Sequence, residues 1–334
     1  MNYNSNRFYI KNKSLRLLYR MLKNASEHLE SIKNKKIVRT VSNLTINKIV
    51  EERVLDRHDG SVWCIIKLSD LQIACASYRN IKIWDISTGI CNSTLNGHTC
   101  TVKSLLKITD TIIGSGSNDK SIKIWDLVSG LCILTLNEHS YYVDCLVRLN
   151  NSQIVSGCYD GSMKIWDINM GICLKNLYGH EAPVKCLIKL NSKQIASGSN
   201  DNSIKIWDVN SGDCAKTYNY PHFNVDTLIK LKGKQLAASG SCNNEICIWD
   251  VTTGKRLQTL HGHTNFINCL IKLNEKQIAS GSNDKSIKIW NVVTGSCLKT
   301  LTGHTSFINS LIKLNRKQVA SGSNDKSIQI WSIY

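Results

Sequence analysis

The ten residues GSNDKSIKIW stand at positions 116–125 and again, unchanged, at 281–290; with one substitution each they recur at 198–207 and 322–331. Working outward from this stretch, the tryptophans fall at 84, 125, 166, 207, 249, 290 and 331, a step of 41 residues with a single 42. A period of that length marks a repeat architecture, in which each unit buries its apolar face only against its neighbours.

One unit shows what is being repeated. Residues 184–190 read as a strand, 194–199 as a second, 204–207 as a third and 214–218 as a fourth. Asn191-Ser192, Asn200-Asp201-Asn202 and Asn210-Ser211-Gly212 supply the turns between them, residue types that accept tight or left-handed backbone. Four short antiparallel strands per unit make a propeller blade, and seven units predict an all-β, seven-bladed propeller.

The motifs carry a family resemblance. Gly-His at 97-98, 179-180, 262-263 and 303-304 is followed by Ser-Gly-Ser-x-Asp and then by Ile-x-Ile-Trp-Asp. Over about residues 48–334 this pattern resembles the WD-repeat family. The resemblance implies a hydrogen-bonded set in each blade: His98, Ser115, Asp119, Trp125; His139, Ser156, Asp160, Trp166; His180, Ser197, Asp201, Trp207; His263, Ser280, Asp284, Trp290; and His304, Ser321, Asp325, Trp331. Two blades depart from it. Cys75 and Arg79 replace Ser and Asp in the first; Asn243 replaces Asp in the fifth, where Tyr220-Pro221 stand for Gly-His and His222 is displaced by one.

The last unit stops after its third strand. The missing strand is expected at 49–55 (IVEERVL), which precedes His58 as 132–136 precedes His139, and pairing it with the last blade would remove two open sheet edges. The expected domains are therefore 1–47, a basic segment, and 48–334, the propeller. In the first, Leu15, Leu18, Leu22, Ala25, Leu29 and Ile32 recur in steps of three and four behind Ser14, which predicts a short amphipathic α-helix over 15–32. Three uses compete for it: docking on the propeller side, self-association or partner binding, and targeting.

Composition narrows the class. Of 334 residues 42% are hydrophobic and 20% charged, the balance of a soluble globular protein, although the net charge is +17. The 14 cysteines travel with the repeat, Cys91, Cys132, Cys173, Cys214 and Cys297 at one position and Cys64, Cys145, Cys186 and Cys269 at another. They are read as reduced and mostly buried in a cytoplasmic or nuclear protein. A His/Ser/Asp set copied around a ring is structural, because a nucleophile and base are needed once, in a cleft. No enzyme, metal site or cofactor is expected.

Function then belongs to the positions that differ between blades. On the face carrying the Gly-His loops, here the upper face, the partner-binding candidates are Trp63, Tyr78, Tyr142, Asp144, Tyr159, Asp226, Phe266 and Phe307, aromatics and carboxylates suited to a protein or peptide partner. On the lower face Lys67, Lys107, Arg148, Lys189, Lys230, Lys272 and Lys313 share one register, a candidate ring for a polyanion such as RNA or an inositol phosphate. No stacking aromatics accompany it, which weakens the nucleic-acid reading. The expected function is a non-catalytic protein-protein interaction scaffold. The alternatives are that polyanion module and a substrate-recognition adaptor of a ubiquitin ligase, for which the Leu-Pro opening of an F-box is missing.

Overall fold

The computed structural model describes residues 52–55, 58–220, 224–240 and 244–333. The 15–32 helix and positions 49–51, Pro221, His222 and Asn243 lie outside the described residues. Seven four-stranded antiparallel sheets follow one another: blade 1 (64–96), blade 2 (102–136), blade 3 (143–177), blade 4 (184–219), blade 5 (227–260), blade 6 (267–302) and blade 7 (308–332). The fourth strand of blade 7 is Glu52–Leu55, antiparallel to Ile328–Ser332 with Leu55 opposite Ile328. The first strands are innermost, each meeting the first strand of the next blade, and that of blade 7 meets that of blade 1. The chain is a seven-bladed propeller.

Burial explains the wording of the repeat. The second strand is covered on both faces, as in Ile112–Ser117, where every residue after the first is buried. It therefore reads as a run of small and apolar residues rather than an alternation. The third strand is buried at Ile122, Ile124 and Trp125 while Lys123 is only partly covered. The glycine that opens the repeated stretch is where the next blade seats. A Cβ on Gly116 would stand 2.7 Å from Val143 Cγ1, and one on Gly322 would stand 2.5 Å from Val62 Cγ1, so the same contact closes the circle. Apolar clusters accordingly span blade boundaries; Leu55 and Ile328 of blade 7 share one with Val62 and Trp84 of blade 1.

Side chains tie the same boundaries on the lower face. Lys67 Nζ donates to Leu314 O at 2.6 Å and Lys230 Nζ to Leu190 O at 2.5 Å. Lys107 donates to Leu68 O, Arg148 to Ile108 O, Lys189 to Leu149 O and Lys313 to Leu273 O. Six of the seven register-matched cations thus reach back to a carbonyl of the preceding blade.

Candidate functional site

The copied polar set is a directed chain. An indole N–H can only donate and an ionised carboxylate can only accept. Trp125 Nε1 therefore donates to Ser115 Oγ (2.8 Å), Ser115 Oγ to His98 Nε2 (2.7 Å) and His98 Nδ1 to Asp119 Oδ2 (2.7 Å). Thr99 N and both the N–H and hydroxyl of Ser121 complete the Asp119 carboxylate. The chain repeats at His180, His263 and His304. Burial alone would raise the Asp119 carboxyl, but the hydrogen bonds from His98 and Ser121 outweigh it and hold the group far below its usual value. Each serine of these four sets is fully buried.

The fifth set fails, which corrects the reading of blade 3. Trp166 still donates to Ser156 (2.8 Å), which donates to His139 Nε2 (2.6 Å), but among the described residues His139 Nδ1 has no hydrogen-bond partner. Asp160 accepts instead from Ser140 Oγ (2.8 Å) and from Ser162. Burial, with the Lys164 charge, drives the His139 pKa down to about 4 despite the Asp160 carboxylate. The signal was legible in Glu138 and Gly161, where other blades carry Gly97 and Lys120. Gly161, at φ +86°, lies so near the next loop that a Cβ would be 2.6 Å from His180 O.

Blade 5 hides another departure. Leu236 opposes Trp249 and Ala238 opposes Cys247, whereas in blade 4 Ile195 opposes Trp207 and Ser197 opposes Lys205. Ala238 therefore occupies the serine position. Tyr220 takes the histidine's place, its ring 3.7 Å from that of Trp249 and its hydroxyl donating to Gly254 O. In blade 1 the substituted Cys75 sulfur lies 3.8 Å from both His58 ring nitrogens.

The variable upper face is built on these frames. In blades 2, 3, 4, 6 and 7 the first strand slips register around Lys103, Asp144, Lys185, Asn268 and Asn309. A bulge re-aims its extra residue, and here it is turned onto a neighbouring blade. Lys103 Nζ sits 3.1 Å from the Trp63 ring centroid, Lys185 Nζ 2.7 Å from Asp144 Oδ2, Asn268 donates to Ile308 O and Asn309 to Val62 O. Burial lowers the Lys103 pKa to about 8, against the pull of Asp144. Trp63 and Asp144, expected to face a partner, also contact neighbouring blades; Trp63 is partly buried and the Asp144 side chain is 6% exposed. Asp226 is partly buried in the same belt.

The remaining aromatics stay outside. Tyr78, Tyr142, Tyr159, Phe266 and Phe307 are exposed. Tyr142 and Tyr159 meet Tyr141 in a three-ring cluster with centroids 5.1 to 5.7 Å apart, and Lys120 of blade 2 reaches over Tyr141. Tyr159 replaces an asparagine of the frame: Asn283 and Asn324 at that position accept from Asn268 and Asn309. The blade with the broken His-Asp bond is thus the blade with the tyrosine cluster.

The lower ring carries less free charge than its register suggested. Besides the carbonyl clasps, Lys67 pairs with Asp70, Lys107 with Asp110 and Lys272 with Glu275, at 2.6 to 2.8 Å. The repeat cysteines also divide. Cys145 and Cys186 are buried, but Cys132, Cys214 and Cys297 are exposed, because they sit on fourth strands with no sheet outside them.

A closed ring of four-stranded blades with a buried, copied frame and an uncopied face defines a repeat protein of the β-propeller class. The sequence model described as "WD domain, G-beta repeat" matches residues 50–85, 89–126, 130–167, 171–208, 254–291 and 295–332, and the chain belongs to that family. The matches pass over 209–253, which contains Tyr220 and Ala238. The chain is also 32% identical over 53 residues to the WD repeat-containing protein pop1 of Schizosaccharomyces pombe, a match covering 16% of this chain and 7% of that protein. Propellers of this family generally bind other proteins.

Proposed function

We propose that the protein is a non-catalytic scaffold that captures a protein partner on its upper face, centred on Tyr141, Tyr142 and Tyr159 of blade 3, with Tyr78, Phe266 and Phe307 as outlying contacts. One observation carries this reading. Blade 3 gives up a hydrogen bond that recurs in four other blades, and a framework asparagine, at the place where three half-exposed tyrosines gather. Exposed clustered tyrosines supply large contact area at low entropic cost, the usual composition of an interface hot spot. The buried serine and histidine hydroxyl-imidazole pairs support the non-catalytic part, and residence in the cytoplasm or nucleus belongs to the same proposal. The carbonyl clasps and turn acids of the lower ring favour a structural role for most of its cations over a polyanion site.

The test is affinity capture with quantitative mass spectrometry. The double variant Tyr141→Ser/Tyr159→Ser should melt like the parent and lose its co-purifying proteins, whereas Phe266→Ser should lose few. Undiminished capture by the tyrosine variant sinks the proposal.

A further inference from the structure

The lower ring is uneven. The turn after the first strand carries Asp70, Asp110 and Glu275 in blades 1, 2 and 6, each paired with the cation of its own blade. Blades 4 and 5 carry Ser192 and Gly233 there. Gly233 turns with φ +64°, and a Cβ on it would meet nothing among the described residues within 4 Å. Between these two blades the structure opens a cleft of about 290 Å³. Its floor includes Ile206, Leu236 and Val251, and its rim carries Lys216, Lys230 and Lys234. Ile206 and Leu236 are buried, whereas all three lysines are exposed.

Two of the lysines are already positioned. Lys216 donates to Thr252 O at 2.9 Å and Lys230 to Leu190 O at 2.5 Å. An ammonium has three donors, so each keeps two for a ligand. The nearby carboxylate, Asp250, feels the Lys234 charge but already accepts from Thr252 N and Thr253 N. Among the described residues, no acidic side chain lines the cleft.

From this we infer that the cleft between blades 4 and 5 is a docking site for an acidic segment of another protein, one that places an aliphatic side chain on the floor and a neighbouring carboxylate among the three lysines. Charge complementarity selects an anion, and the apolar floor selects a peptide over a nucleic acid, whose bases would need aromatic rings that the lining lacks. The surface is separate from the tyrosine cluster and independent of it.

The experiment is fluorescence polarisation with the full chain at low salt. The probes are a labelled peptide of alternating Glu and Leu, its Gln-for-Glu and Gly-for-Leu counterparts, and an oligothymidylate of equal charge. The Glu-Leu peptide should bind best of the four. Lys234→Glu should weaken it about tenfold, while Lys276→Glu, the same charge change at the same turn position of blade 6, should change it less than about twofold. Tyr141→Ser/Tyr159→Ser should leave this binding intact even if capture on the upper face is lost. No binding of the Glu-Leu peptide, equal binding of the Gly-for-Leu peptide, tighter binding of the oligonucleotide, or equal losses in the two lysine variants would each overturn the inference.

Discussion

Replacing Asp119 by Asn and, separately, Asp160 by Asn should have unequal costs, although the two positions match in the repeat. Asp119 Oδ2 accepts from His98 Nδ1 and Thr99 N, and Oδ1 from the N–H and hydroxyl of Ser121. An amide offers one oxygen, so one of these two donor pairs would face an NH2 group. The Ser121 hydroxyl can turn to accept from that group, so the better placement strands the Ser121 N–H, at a cost of about 1–3 kcal/mol in a site 7% exposed. In blade 3, Asp160 Oδ1 serves Ser162 and Oδ2 accepts from the Ser140 hydroxyl, which can rotate to accept from an amide. That substitution should cost less than about 1 kcal/mol. With an unfolding slope near 3 kcal/mol per molar urea, the midpoint should fall by about 0.3–1 M for Asp119→Asn and by less than about 0.3 M for Asp160→Asn. The Asp119 contribution comes from a depressed carboxyl, so it is complete above the ordinary value of 3.8 and lost as pH falls through the lower folded value. The gap between the parent and Asp119→Asn should therefore narrow in acid. Equal midpoint shifts for the two variants at neutral pH would refute the account of blade 3.

His139 should make the parent acid-sensitive. Its pKa falls from 6.5 to about 4 on folding, so the unfolded chain takes up the proton first, and stability that is complete above 6.5 declines by up to about 3 kcal/mol towards pH 4; denaturation of His139→Gln across that window should show a flatter profile. Leu55→Ala should destabilise by about 2–5 kcal/mol, because Leu55 is 3% exposed at the ring closure, while Val54→Ala, at a 53% exposed position, should stay within about 0.5 kcal/mol in the same urea titration. Maleimide labelling of the native protein, read by peptide mass spectrometry, should mark Cys132, Cys214 and Cys297 before Cys145 and Cys186, whose burial also pushes their thiol pKa up.

The parts of this fold that the sequence made legible are those the chain states repeatedly. Trp125, Ser115 and Gly116 appear in copy after copy because each is bounded by another copy, so one reading serves most blades. Single departures were harder. The extra residue of blade 5 lies in the turn before Ile246, so counting back from Trp249 lands on Ser239, while strand pairing puts Ala238 in that role. The loss of the His139-Asp160 bond left both residues in place and showed only in Glu138 and Gly161. For the candidate site, the alternation of the first strand said which residues share a face but not that a bulge would turn Asp144 and Lys103 onto their neighbours. The lysine register was visible as charge, whereas its carbonyl partners, about 40 residues away in the chain, needed three dimensions.

Leu55 and Ile328 stand opposite each other although they lie 273 positions apart in the chain. Made from the amino end at about 5–20 residues per second, the chain releases its closing strand roughly 15–55 s before the partner strand emerges from the ribosome. For that interval six blades can stack while the first and last edges of the growing arc remain open. A nascent propeller of this design spends its synthesis as a crescent with two adhesive tips, and neighbouring crescents on one messenger could join tip to tip before either shuts.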